Sequence, residues 1–144
     1  MDVREILPPD TGSAFLAMEA LRTQLGGEAE FVRLADEVQR PEGYRLVGAF
    51  DSGDPHAAAV AGFRTGNNLA WGHFLYVDDL ATRPEFRRRG LGTALLVWLA
   101  REAARAGCEQ LHLDSGVGPE RADAHRLYLS SGLVISAHHF ARRL

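Results

Sequence analysis

Tyr76-Val-Asp-Asp-Leu-Ala-Thr-Arg-Pro-Glu-Phe-Arg-Arg-Arg-Gly-Leu-Gly-Thr-Ala-Leu-Leu96 decides how this chain is read. An apolar strand ends in two adjacent carboxylates, Asp78 and Asp79. A short turn with Pro84 follows, three arginines run into Gly90-Leu91-Gly92, and a helix begins at once. Gly90 and Gly92 carry no Cβ, so the backbone can approach a ligand closely. A new helix leaves its first N–H groups unpaired and holds positive partial charge there. Arg87, Arg88 and Arg89 add charge, and Thr93 adds a hydroxyl. Together these make a nest for a phosphate-sized anion. The dinucleotide fingerprint fails, because Leu95 stands where its third glycine belongs. The nucleoside-triphosphate loop fails too, since no Gly-Lys-Ser/Thr follows.

Upstream, Val3–Ile6 alternates like a short strand that Pro8-Pro9 ends. Asp10 or Thr11 can cap a helix carrying Phe15, Met18, Leu21, Arg22 and Leu25 at helical spacing. Gly26-Gly27 breaks it, and Glu28–Gln39 repeats the pattern with Phe31, Leu34, Ala35 and Val38 on one face. Tyr44–Phe50, Ala57–Arg64 and Trp71–Thr82 read as an antiparallel meander of strands. Downstream come a helix at Leu91–Ala106, a short strand at Gln110–Asp114, a helix at Glu120–Ser131 and a final strand at Leu133–Phe140. Residues 72–114 therefore form a strand–helix–strand unit with a right-handed crossover. The order β-α-α-β-β-β-α-β-α-β predicts one α/β domain over residues 1–144, a mixed, mostly antiparallel sheet with helices on both faces.

The composition, 46% hydrophobic and 24% charged, is that of an ordinary globular domain. No apolar run is long enough for a membrane span. A net charge of −3 argues against a nucleic-acid partner, which needs a basic footprint. Cys108 is the single cysteine, so neither an internal disulfide nor a thiolate metal site can form, and a reducing cytoplasm is expected. His138 and His139 would point to opposite faces of a strand, which makes them poor co-ligands, and no metal is expected. Ser115, His125 and Asp114 invite a hydrolase reading, but the strained Gly-x-Ser-x-Gly elbow is missing.

Arg87-Arg88-Arg89-Gly90-Leu91-Gly92 resembles the Arg/Gln-x-x-Gly-x-Gly/Ala signature of the GNAT family of N-acetyltransferases. Val77–Phe86 is similar to that family's central strand and its approach to the loop. Ala124-His-Arg-Leu-Tyr-Leu-Ser-Ser-Gly-Leu133 resembles its second motif, a helix with Ala-x-x-x-Tyr and a closing glycine. The resemblance implies acetyl-CoA binding in a cleft where two central strands splay apart. It implies that Leu80, Ala81 and Thr82 offer backbone groups to the pantetheine arm, as an added strand would. The amides of Arg88, Arg89, Gly90, Leu91, Gly92 and Thr93 would hold the pyrophosphate, with Arg87 ordering the loop. Tyr128, four residues after Ala124, would protonate the leaving thiolate; the ordinary phenol pKa of about 10 is near that of a thiol. Asp78 is the candidate base, acting through water or by binding the substrate cation. By alternation it shares a sheet face with Tyr76 and Leu80, and Asp79 faces the other side unless a bulge intervenes.

Two positions depart from the family pattern. Arg121 stands where many members carry an asparagine seven residues before the tyrosine. The sequence also stops soon after Phe140, where the family continues into a seventh strand. A short or absent seventh strand would leave an open sheet edge, which predicts a homodimer that covers it. The reading is thus an acetyl-CoA-dependent N-acetyltransferase that moves acetyl directly to a small-molecule or protein amine. The rivals are a non-catalytic acyl-CoA-binding or sensor module on the same fold, and a hydrolase or nucleotide-binding protein.

Overall fold

In the computed structural model, which describes residues 1–144, five strands form one sheet in the order β1-β2-β3-β4-β5. They are β1 (Asp2–Ile6), β2 (Arg45–Phe50), β3 (Ala59–Asn68), β4 (Gly72–Thr82) and β5 (Gln110–Leu113). The first four pair antiparallel. β5 joins β4 in parallel after the crossover. The helices are α1 (Phe15–Glu19), α2 (Glu28–Arg33), α3 (Leu91–Arg105) and α4 (Ala122–Ser130). No helix is long and apolar enough to cross a membrane.

Alternation along the strands feeds two cores. Val47, Ala49, Ala61, Phe63, Leu75 and Val77 face α3, where Leu91, Leu95, Leu96 and Leu99 meet them together with Tyr128 of α4. Leu46, Val60 and Ala81 face the other way, against Phe15 and Met18 of α1 and Phe31 of α2. Each fully buried leucine contributes about 1.5–3 kcal/mol, so α3 is fixed to the sheet along its length. The start of α3, where the anion nest is expected, is therefore held as firmly as its middle.

Three expectations need correction. The segment before α1 is a 3-10 turn over Asp10–Ala14 without a side-chain cap. Thr11 is instead fully buried and donates to Asp36 Oδ1 at 2.7 Å. The second helix is α-helical only to Arg33 and widens to a π-helix over Leu34–Gln39, which no local sequence signal marks. Residues 133–140 form no strand. Leu133 still packs on the α3-side core, but Val134, Ile135 and Phe140 are exposed, so beyond Leu133 the pattern finds neither a ladder partner nor a core to bury against.

β4 and β5 pair only from Phe74↔Gln110 to Val77↔Leu113. β4 then runs on to Thr82 with its β5 side unpaired. This divergence opens the cleft of the candidate site.

Candidate active site

The point of divergence coincides with a β-bulge. Gly62 of β3 pairs with Asp79, while Phe63 pairs with Val77. Asp78 is thus an extra residue on β4, and the parity of the strand changes there. Val77 and Leu80 both pack on the α3 side. Asp78 and Asp79 both turn to the α1/α2 side, where each finds an arginine. Arg64 Nη2 donates to Asp78 Oδ2 at 2.7 Å and its Nε contacts both carboxylate oxygens at 3.1 and 3.2 Å. Arg22 Nε donates to Asp79 Oδ1 at 2.8 Å, and its Nη2 caps the Asp78 carbonyl at 2.9 Å. Tyr44 completes the set by donating from its hydroxyl to Asp79 Oδ2 at 2.7 Å. Burial first, and the neighbouring Asp79 second, push the Tyr44 phenol far above its ordinary range, so it stays a neutral donor. Gly62 makes room for that hydroxyl, because a Cβ there would lie 1.8 Å from it. The sequence expectation that Leu80 shares a face with Asp78, and that Asp79 lies opposite, is corrected by this bulge.

A cleft of about 220 Å³ lies between the diverging strands. Val77, Asp78 and Leu80 line one wall, and Leu113, Asp114, Ser115 and Gly116 line the other. Leu21 and Arg22 close one side, and Arg121 and Tyr128 close the opposite one. Tyr128 is only 9% exposed. Burial raises its pKa above the ordinary phenol value, with the nearby Arg121 guanidinium pulling the other way. Arg121 Nε donates to Ser115 Oγ at 3.3 Å. His125 Nε2 sits 2.7 Å from the Gly116 carbonyl, which can only accept, so that nitrogen carries the proton. It therefore cannot act as a base toward Ser115 Oγ, 3.1 Å away. Asp114 turns instead toward β4, where the Tyr76 hydroxyl donates to it. A wider hollow of about 600 Å³ lies at the far end of the sheet beside Met1, Arg4 and Phe50. It is open, adjoins neither the splay nor a long helix's start, and shares no residue with the cleft.

The predicted anion nest falls at the start of α3. Gly90 adopts φ 76° as the residue before α3, and no side chain caps the helix. Arg88 also has a positive φ, 63°, the sole non-glycine residue that does. Such a conformation is strained for a residue with a side chain and turns successive N–H groups toward one side. Arg87, Arg88, Arg89 and Gly90 are exposed, as is Thr93, while Leu91 is buried and anchors the turn. Phe86 is the second anchor, with the Arg83 and Arg89 guanidinia 4.9 and 5.1 Å from its ring centre. Gly92 has a packing reason for lacking a Cβ, because one would sit 2.7 Å from Leu127 Cδ2 of α4. The same contact ties the nest to the helix that carries Tyr128. A free strand edge, an uncapped helix start and exposed arginines fit a long ligand with an anionic middle.

Comparison with known proteins agrees with this arrangement. The sequence matches the acetyltransferase (GNAT) family over residues 10–133. The chain belongs to that family. It is 32% identical over 126 residues to the uncharacterized N-acetyltransferase YhdJ of Bacillus subtilis, covering 87% of this chain and 85% of that one. Its fold is similar to an acetyltransferase from Trypanosoma brucei, with TM-score 0.80 and 19% identity over 99% of each chain. An aminoglycoside N-acetyltransferase solved in complex with CoA superposes with TM-score 0.76 and 17% identity, over 99% of this chain and 93% of that one. As a GNAT member the chain is an N-acetyltransferase, and the family uses acetyl-CoA.

Among the residues expected from sequence, Asp78, Leu80 and Tyr128 line one cleft. Ala81 is buried on the α1/α2 side and contributes no side chain to it. Arg22, Tyr44 and Arg64 complete the surroundings without any mark in the local sequence, and Arg121 and Asp114, which the sequence offers only as a departure from the family pattern and as part of a hydrolase-like trio, join them. Arg22 and Tyr44 lie 57 and 35 residues from Asp79, so no local pattern could join them.

Proposed function

We propose that this GNAT protein transfers an acetyl group from acetyl-CoA directly to an amine bound in the cleft between β4 and β5. The observation that carries the reading is that one cleft joins the free edge of β4 to the Tyr128 helix, and Gly92 packs that helix against the anion nest. In this reading the backbone of Leu80–Thr82 pairs with the pantetheine arm. The amides and guanidinia of Arg87–Thr93 hold the pyrophosphate. The Leu80 N–H serves as donor to the oxyanion. Tyr128, kept neutral by its burial, donates a proton to the departing thiolate. Asp78 stands on one wall of the cleft, fixed by Arg64, and Asp79 next to it is fixed by Arg22.

Direct transfer is favoured over an acyl-enzyme because neither nucleophile candidate is activated. Cys108 follows α3, whose 15 residues span about 22 Å from the nest. Its thiol is also pushed up by burial. Ser115 faces a histidine nitrogen that already carries its proton. Tyr128→Phe should lower kcat about 100-fold while acetyl-CoA affinity, read by calorimetry, stays within about twofold. Unchanged turnover would remove Tyr128 from the mechanism.

A further inference from the structure

Three carboxylates stand at the point where β4 and β5 diverge, and two of them are already spoken for. Asp78 has both oxygens on Arg64. Asp79 has one oxygen on Arg22 and the other on Tyr44, and its side chain is 13% exposed. An arriving ammonium would have to displace a guanidinium from either. Asp114 differs. It follows directly on the last paired residue of β5 and lines the cleft with Tyr128. Its Oδ2 accepts from the neutral Tyr76 hydroxyl and lies 3.4 Å from His139 Nδ1. Its Oδ1 has no partner, and the side chain is 54% exposed.

We propose that Asp114, oriented by Tyr76 and His139, is the carboxylate that receives the acceptor ammonium and passes its proton on, a role that rests on the acetyl-transfer reading above. Both holders approach Oδ2, which leaves Oδ1 directed to the substrate. Burial and the Asp114 carboxylate raise the Tyr76 phenol, so it donates without cancelling the aspartate's charge. The cations facing the cleft do not compete. Arg22 is committed to Asp79, and Arg121 bonds Ser115 beside Tyr128. His112, on the Asp114 face of β5, is stacked 3.5 Å from Trp71 and bonded to Gln110.

The protons balance. One leaves the ammonium through Asp114 to His139, whose exposed ring returns it to solvent. The freed amine forms the new C–N bond at the thioester carbonyl. As the C–S bond breaks, the thiolate takes a proton from Tyr128 and the second nitrogen proton returns to the Tyr128 phenolate, so amide, free thiol and one solvent proton result and Tyr128 is restored. Asp114 and Tyr128 are the catalytic residues in this scheme, and Tyr76 and His139 are positioning residues.

The test is steady-state kinetics with acetyl-CoA and a panel of four amines: an arylalkylamine, a polyamine, an aminoalkylphosphonate and a dipeptide. Thermal midpoint and acetyl-CoA affinity are measured for every variant. Asp114→Asn should lower kcat/KM for the amine about 100-fold with coenzyme affinity held within about twofold. Tyr76→Phe and His139→Gln should each lower it about tenfold while the KM for acetyl-CoA stays unchanged. Retention of more than about a third of wild-type kcat/KM by Asp114→Asn overturns the assignment and leaves acetyl transfer standing. A larger loss in Asp78→Asn than in Asp114→Asn also overturns it. Absence of thiol release by the wild type with every amine overturns both readings together.

Discussion

Replacing Gly62 with alanine tests how the sheet seats the Tyr44–Asp79 pair beside the cleft. The new Cβ would fall 1.8 Å from Tyr44 Oη, 2.3 Å from Cζ and 2.6 Å from Cε1. No small adjustment relieves three such contacts, so the ring must leave its place. Its hydrogen bond to the Asp79 carboxylate then goes, at about 1.5–3 kcal/mol for a bond to a charged group. Overpacking around a ring that is 6% exposed adds about 1–3 kcal/mol. Lower unfolded-chain entropy gives back about 0.4–1 kcal/mol. The net loss is about 3–4 kcal/mol, or a fall of about 10 °C in Tm for a domain of this size. Urea unfolding read by circular dichroism and by fluorescence measures it, and an unchanged slope against urea would keep the loss in the folded state. In a Tyr44→Ala background the same change should be nearly neutral, because the obstructing ring is gone; the two substitutions are strongly non-additive. A Gly62→Ala protein within about 1 kcal/mol of wild type would refute the account of Gly62 as the socket for Tyr44.

Two further expectations concern stability and the nest. The Glu102 carboxyl is held down at about 2, by its hydrogen bond to Arg105 first; burial pushes it up next, and the hydrogen bond and charge of Arg45 help to outweigh that push. A carboxylate whose folded pKa lies below its unfolded value stabilises the fold fully above that unfolded value. The benefit fades as pH falls from about 4.5 toward 2. Arg105 is 68% exposed, so screening keeps the contribution to about 1–2 kcal/mol, and Glu102→Gln should flatten the acid limb of the stability curve by that amount. Gly90→Ala meets no atom but must hold φ 76°, so it should lower stability by about 1 kcal/mol and weaken acetyl-CoA binding about tenfold in calorimetry.

The strand and helix alternation between Arg45 and Arg105 was legible because each segment buries one face, and hydrophobic spacing records which. The proposed nest is marked just as locally, by glycine and arginine within six residues. The bulge is not. Asp78-Asp79 looks like any two strand residues, and the irregularity exists only in the pairing with Gly62 and Phe63. Pairing across long sequence distances also hid Arg22 and Arg64, which read as a helix residue and a strand end. Leu133–Phe140 failed for the converse reason: alternation is a capacity to bury a face, and here no partner takes it up. Arg121 was noticed as a departure from the family pattern, but its place beside Ser115 and Tyr128 depended on how the loop after β5 folds back.

Asp78 is the one residue of β4's paired stretch that the ladder with β3 does not count. Without it, Val77 and Asp79 would follow each other with both faces unchanged, and every other pair in the ladder would keep its partner. The sheet therefore has a complete design with one residue fewer. What that shorter strand would lack is the added twist that a bulge brings. A straighter β4 would be free to keep zipping to β5 beyond Leu113, and the gap between the two strands would close into ordinary sheet. The opening between the two strands is in this sense the work of a single supernumerary aspartate, a tooth that stops the zipper.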